Sequence, residues 1–356
     1  MQDETDSETH GWLTGWLPSW RPTSMSLLKS TEARILARIQ SELRTRFVTL
    51  QNQEKIWTLT VTNKHNTEPG TVSVLPPSTP LVLLHGFGGG LGLWVQNLDA
   101  LCGRRTIHAL DLPGFGRSSR PRFPSDPELA EDLSVSAIED WRRAMGLERF
   151  ILLGHSLGGY LATSYAIRHP DRVSHLILVD PWGFPEKPQP GAQGSVTRPG
   201  PPRWVRVLAS IVSLFNPLAV IRAAGPWGPG LVHRFRPDFK QKFEGVFDDD
   251  TMTEYIYHCN AQSPSGEVGF RALSQSLGWA KRPMLPRVPL LSPTLPVSLI
   301  YGAQSWVDSQ TGDRVRELRP QSYTHIEVIE GASHHVYADQ PHEFNQVVEK
   351  ICNSVD

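Results

Sequence analysis

Gly154-His155-Ser156-Leu157-Gly158 is the stretch that decides how this chain is read. The apolar run Phe150–Leu153 precedes it at strand length, and the helical run Tyr160–His169 follows it. Gly-x-Ser-x-Gly set between a strand and a helix predicts a sharp turn that presents a serine hydroxyl above a sheet edge. Small residues on either side let the strand and the helix pack closely, and Gly159 extends that allowance. Ser156 is therefore the candidate nucleophile. A serine hydroxyl needs a neighbouring imidazole to take its proton, and a developing oxyanion needs amide donors aimed at it.

Working outward, the run Leu81–Leu84 leads into His85-Gly86-Phe87-Gly88-Gly89-Gly90. A glycine-rich loop after a strand can supply one oxyanion donor, most simply the amide of Phe87, with Gly88 as the other choice. The second donor is the amide of Leu157, the residue after the nucleophile. No Lys-Ser/Thr pair closes this loop, so it does not read as a phosphate loop. His85 reads as an orienting residue of the loop.

The base is expected after the last strand, Thr324–Ile329, where Gly331-Ala-Ser-His334-His335 follows. Adjacent residues point different ways, so one of the pair reaches Ser156; His334 is the first choice and His335 the alternative. The acid is expected after Val297–Tyr301, and Asp308 is the first acid there. Asp180, ending the run Leu176–Val179, is the alternative. His334 and Asp339 also form His-x-x-x-x-Asp, a spacing found in some glycerolipid acyltransferases, although Ala-Asp-Gln-Pro suits an ordinary turn or helix start. Asp111-Leu-Pro-Gly-Phe-Gly-Arg-Ser118 reads as a structural strand-to-loop element.

From residue 80 strand-length apolar runs alternate with helical segments, which argues for right-handed βαβ units and a mostly parallel sheet covered on both faces. That rhythm breaks between about Trp182 and Leu295, a region rich in proline, glycine and aromatics. The expected organisation is therefore an α/β core over 80–182 and 294–356, with a helical cap inserted over 183–293. A helix and hairpin over 23–79 precede the core, the helix running across 23–46. Ahead of them, residues 1–22 place Trp12, Trp16 and Trp20 four apart, on one side of a helix. Tryptophan favours the water–lipid boundary, so this segment reads either as a membrane-association element or as a tail packing its rings on the domain.

A net charge of −1 with no block of like charge excludes nucleic acid as an expected partner. Cys102, Cys259 and Cys352 show neither metal-ligand spacing nor a disulfide framework and read as free thiols of a reducing compartment. No metal or organic cofactor is called for by this chemistry. The apolar stretch Val207–Ile221 is interrupted by Asn216-Pro217 and falls short of the roughly 20 residues a span requires.

Together, His85–Gly90, Asp111–Ser118, Gly154–Gly159 and Gly331–His334 resemble the α/β-hydrolase domain family over nearly the whole chain. More specific strings are the tryptophan segment, Asp180-Pro-Trp-Gly-Phe184, Thr253-Glu-Tyr-Ile-Tyr-His-Cys-Asn260 and His335-Val-Tyr-Ala-Asp-Gln-Pro341. They are similar to a small subfamily with two branches. One is a lysophospholipase acting on N-acyl phosphatidylethanolamine. The other is the lipid-droplet co-activator of adipose triglyceride lipase, which carries Asn at the nucleophile position. Ser156, Arg21–Met25, Ala223–Gly230 and Ser333–His335 look closer to the first branch. The resemblance implies a serine hydrolase that removes O-acyl chains from N-acyl phosphatidylethanolamine and its lyso form. The alternatives it leaves open are a non-catalytic lipid-surface regulator of another lipase and an acyl-CoA-dependent lysophosphatidic acid acyltransferase. It further implies a cytoplasmic protein peripheral on intracellular membranes or lipid droplets, with a phospholipid or lysophospholipid substrate and a droplet-coat or lipase partner.

Overall fold

The computed structural model describes residues 23–62, 78–188, 218, 222, 227–276 and 278–356. The tryptophans at 12, 16 and 20, the stretch Val207–Ile221 apart from Leu218, and much of the expected cap lie outside those residues. Eight strands form one sheet: β1 (Glu42–Thr49), β2 (Lys55–Thr62), β3 (Leu81–Leu84), β4 (Ile107–Leu110), β5 (Phe150–His155), β6 (Val173–Val179), β7 (Val297–Gly302) and β8 (Thr324–Ile329). Their spatial order is β1-β2-β4-β3-β5-β6-β7-β8. β1–β2 and β2–β4 pair antiparallel, and every other pairing is parallel. The sheet is thus mostly parallel, with an antiparallel hairpin at one edge.

The continuous apolar strands are explained by burial on both faces. Val82, Leu84, Leu152 and Leu178 pack against Trp141 and Tyr165. These two side chains come from α3 (Pro127–Met145) and α4 (Leu157–Arg168), which follow the short α2 (Leu98–Leu101). The alternate residues Leu81, Leu83, Leu153 and Val179 face α1 (Met25–Leu36) and the last helix, through Leu28, Ile35, Phe344 and Val348. Period-2 side-chain alternation makes each strand serve two cores. Each fully buried Leu or Ile contributes on the order of 1.5–3 kcal/mol.

Helix is expected across 23–46, but α1 ends at Leu36 and Glu42–Arg46 belong to β1. The Asp99 carboxylate accepts the amides of Gln40 at 3.0 Å and Ser41 at 2.9 Å, turning the chain out of the helix. Residues 42–46 then pair with 58–62 of β2, and this ladder overrides the helical spacing of Ile39 and Leu43. The expected hairpin is part of the main sheet and not a separate unit.

Between β6 and β7 the chain leaves the sheet for the insert. Its described helices are α5 (Gly228–Phe235), α6 (Asp238–Lys242), α7 (Thr251–Ala261) and α8 (Ser265–Leu273), followed by a short antiparallel pairing of Ser274–Ser276 with Trp279–Ala280. After β7 come α9 (Gln310–Leu318), α10 (Val336–Asp339) and α11 (Pro341–Asn353). Helix α7 and the residue that ends it are tied to the start of the described chain: His258 Nδ1 and Gln262 Nε2 each lie 3.0 Å from Thr23 Oγ1. Among the described residues no helix is long and apolar enough to cross a membrane, and no cluster of His, Cys, Asp or Glu could hold a metal ion. All three cysteines are unbridged and buried.

Candidate active site

Ser156 sits between β5 and α4 with φ 53° and ψ −115°. A non-glycine residue rarely adopts such a conformation, which costs on the order of 1–3 kcal/mol and persists only where the surroundings impose it. The surroundings here are close. A Cβ on Gly154 would fall 2.3 Å from the carbonyl oxygen of Gly158, and a Cβ on Gly158 would fall 2.4 Å from that of Leu84. The glycines on either side of the serine are the reason the strand, the turn and the helix can be this near each other. The Ser156 amide donates to Val179 O at 3.0 Å, and its carbonyl accepts from the amide of Trp182 at 3.2 Å.

His334 Nε2 lies 3.0 Å from Ser156 Oγ. On its other side His334 Nδ1 lies 2.5 Å from Asp180 Oδ2. Nδ1–H donates to the carboxylate, which leaves the Nε2 lone pair to accept the Ser156 hydroxyl proton. The structure therefore joins Ser156, His334 and Asp180 in one hydrogen-bonded chain.

Asp308 is not part of it, and the expectation for the acid is corrected. The Asp308 carboxylate is exposed and accepts the amide of Gln310 at 3.0 Å, at the start of α9. β6 and β7 are parallel neighbours, and the Asp180 amide donates to Ile300 O at 2.8 Å, so the two strand ends lie side by side. Asp180 reaches the imidazole from the adjacent strand end. Its Oδ1 accepts the Gly302 amide at 3.3 Å, and its Oδ2 accepts the hydroxyl of Ser305 in the loop after β7. Asp180 itself has φ 46°, a second strained residue at the site.

His335, the alternative base, points elsewhere. Its half-buried ring packs edge-on against Phe239 at 5.0 Å and tilted against His155 at 5.2 Å, without reaching Ser156. Asp339 does not touch His334. One of its oxygens accepts the Ser333 amide at 2.8 Å and hydroxyl at 2.6 Å, and the other holds the buried Lys242 ammonium of α6. Asp339 thus anchors the turn that carries His334 and links it to the insert. His155 donates from Nε2 to the His334 carbonyl at 2.9 Å, a support the sequence did not single out. Trp306, largely exposed, places its ring 5.0 Å from that of His334.

The glycine-rich loop lies against the nucleophile: a Cβ on Gly86 would be 3.1 Å from the Cβ of Ser156. Among the described residues neither the Phe87 nor the Leu157 amide has a protein acceptor. His85 fixes the loop, with Nδ1 donating to Gly86 O at 2.7 Å and Nε2 accepting the Leu112 amide at 3.0 Å. Burial lowers its pKa to about 4, so it holds that role as a neutral ring. The Asp111 carboxylate steadies the far end of the same region by accepting the amides of Leu91 and Arg117, each at 2.7 Å. A cavity of about 130 Å³ adjoins Gly86–Gly89, walled by apolar side chains such as Leu93, Val232 and Ile256, with Arg236 as its cationic side chain.

Burial, with the nearby Arg236 and Lys242 cations, pushes His334 below its ordinary value of 6.5, to about 4. Burial raises the Asp180 carboxyl, while the Ser305 hydroxyl and Gly302 amide oppose that rise. The imidazole is a base only when unprotonated. With its pKa lowered it stays so as pH falls below 6.5, and the imidazole is lost as a base only as pH approaches the depressed value. We expect the acid limb of kcat/KM for a water-soluble ester to lie below pH 6.5. A limb at or above the ordinary imidazole value would show that His334 is not depressed, or that the Asp180 carboxyl, which burial raises, is the group that titrates.

Residues 79–341 match the family model described as alpha/beta hydrolase fold. A (lyso)-N-acylphosphatidylethanolamine lipase of Bos taurus is 60% identical over 356 residues, covering 100% of both chains. A Homo sapiens protein named 1-acylglycerol-3-phosphate O-acyltransferase is 53% identical, over 100% of this chain and 99% of its own. Among solved structures, a bacterial membrane phospholipase A superposes with TM-score 0.61 at 23% identity, covering 95% of this chain and 93% of that one, which speaks to the shared fold alone.

Proposed function

The chain belongs to the α/β-hydrolase family, and on that premise we propose that Ser156, His334 and Asp180 are its catalytic residues. It is a lipid ester hydrolase. The substrate class we infer is N-acyl phosphatidylethanolamine and its lyso form, from which it removes O-acyl chains to leave glycerophospho-N-acylethanolamine. The observation that carries the chemistry is the unbroken bond chain from the Ser156 hydroxyl through His334 to Asp180. The substrate is supported by the full-length identity to lipases of that name.

Ser156 Oγ adds to the ester carbonyl carbon as His334 Nε2 takes its proton. Asp180 holds the ring in the needed tautomer and offsets the charge of the imidazolium. The amides of Phe87 and Leu157, with Gly88 as the alternative from the loop, face the oxyanion. The tetrahedral centre collapses, the ester C–O bond breaks, and His334 returns the proton to the leaving glycerol oxygen. Water then adds to the acyl-Ser156 carbonyl, giving its proton to His334. Release of the fatty acid restores the serine hydroxyl. The cavity beside Gly86–Gly89 is apolar enough for an acyl chain, and Arg236 in its wall suits a phosphodiester.

The acyl-enzyme can pass its acyl group to an alcohol as well as to water, and the 53% identical relative bears an acyltransferase name. Purified protein with N-acyl lysophosphatidylethanolamine should release free fatty acid. Labelled acyl-CoA with lysophosphatidic acid should yield no phosphatidic acid. Phosphatidic acid formed in place of fatty acid would overturn the hydrolytic reading.

We also propose that the chain works as a peripheral protein on a membrane or droplet surface through its N-terminal tryptophans. Replacing Trp12, Trp16 and Trp20 by Ala should reduce co-flotation with phospholipid vesicles about tenfold or more, because interfacial binding scales with buried apolar area. Unchanged flotation would assign those rings to packing on the domain.

A further inference from the structure

The insert does more than cover the site: its helix α7 grips the loop that carries the Phe87 amide. Asn260, near the end of α7, donates from Nδ2 to the carbonyl of Gly88 at 2.7 Å and to Ile256 O at 2.8 Å. Tyr255, earlier on the same helix, accepts the amide of Gly92 at 3.1 Å. Asn260 is buried, and its own carbonyl accepts Arg222 Nη1 at 3.3 Å, which also binds Glu267 on α8 at 2.7 Å.

The consequence for the oxyanion donor follows from peptide planarity. The Gly89 amide donates to Gly86 O at 3.1 Å, closing a turn in which Gly88 takes φ +70°. A positive φ at the third residue is what a type II turn requires. The Gly88 carbonyl and the Gly89 N–H belong to one rigid peptide unit, as do the Gly86 carbonyl and the Phe87 N–H. Fixing the Gly88 carbonyl fixes the Gly89 N–H, which holds the Gly86 carbonyl. A trans peptide points its N–H opposite its C=O, so the direction of the Phe87 N–H is set in turn. His85 Nδ1 supplies the other hold on Gly86 O, at 2.7 Å. His85 comes from the core, whereas Asn260 comes from the insert. The Phe87 ring, stacked on Phe270 of α8 at 4.3 Å, is gripped by the insert as well.

We propose that Asn260 is a positioning residue for transition-state stabilisation: its bond to Gly88 aims the Phe87 amide, so the oxyanion site is incomplete without the insert. The inference rests on the reading of Phe87 as an oxyanion donor. Asn260 also lines the cavity beside the loop, and its effect on the oxyanion donor runs through its bond to Gly88.

The test uses the full chain and a soluble p-nitrophenyl ester, with rates normalised to sites titrated by a fluorophosphonate probe. Asn260→Asp keeps the size of the side chain but sets an acceptor against the Gly88 carbonyl. Its kcat per titrated site should fall by about tenfold to a hundredfold, since small misplacements of a catalytic group cost that much. KM should change by less than about threefold. Affinity for a trifluoromethyl ketone, which forms a tetrahedral oxyanion on Ser156, should fall in parallel with kcat. Asn260→Gln retains an amide donor and should recover part of both losses; it also serves where the aspartate variant does not fold. A role in folding alone would lower the titre of active sites and the melting temperature, leaving kcat per site and ketone affinity within about twofold of the parent. That result overturns the proposal. An unsubstituted protein that cleaves no ester would instead sink the hydrolase reading on which it rests.

Discussion

Ser156→Ala leaves a folded protein that no longer cleaves lysophospholipid. The loss is expected to be on the order of 10⁵–10⁶ in kcat, the scale found when the nucleophile of a serine triad is removed while binding and the oxyanion site remain. The alanine keeps the backbone at φ 53° and the hydrogen bonds of the turn, since the Ser156 amide and carbonyl, not its hydroxyl, bond Val179 and Trp182. Stability should therefore change little. Labelling by a fluorophosphonate should vanish together with hydrolysis, and lipid binding should persist. Fatty acid release by the variant at the parental rate would show that another group performs the reaction.

Asp180→Asn is the second large effect. The amide nearly matches the carboxylate in shape, but it can present its NH₂ to the imidazole. The ring would then be held with its proton on Nε2, facing Ser156 with a donor where an acceptor is required. A loss of about 10⁴ in kcat is expected from that wrong tautomer. Asp308→Asn is the paired measurement. Its carboxylate is exposed and caps the start of α9, so activity should stay within about twofold of the parent. Equal losses in the two variants, or a larger loss at Asp308, would reverse the assignment of the acid.

How far the site could be read without coordinates depends on how local each feature is. Gly154–Gly158 encodes its own turn: the glycines on each side are adjacent to the serine in sequence, and the close backbone approaches lie within a few residues or on the neighbouring strand. His334 could be found because it follows the final strand, and its neighbour His335 could be separated from it only by direction. The acid was harder. Both Asp180 and Asp308 come after parallel strands of similar composition, Asp180 directly and Asp308 after a short loop. Ser305 lies in the loop between β7 and Asp308. Its hydroxyl donates to Asp180, a contact that no spacing rule foretells. The helix expected over 23–46 failed for a related reason. Its periodicity was genuine, but the Asp99 carboxylate and the β2 ladder, distant in sequence, outweighed it.

By itself the sequence determined the strand–turn–helix at Ser156, the alternation of strands and helices that makes a parallel sheet, and which serine and histidine to propose as nucleophile and base. Those depend on side-chain size, backbone freedom and periodicity over a few residues. Only the tertiary structure decided that Asp180 completes the chain to His334, that Asp339 is spent on Lys242 and Ser333, and that Asn260 reaches Gly88. Each of those is a hydrogen bond or ion pair between segments far apart along the chain. Which partner is met is set by strand order and helix packing, because a contact of about 3 Å is selected by where whole elements come to rest.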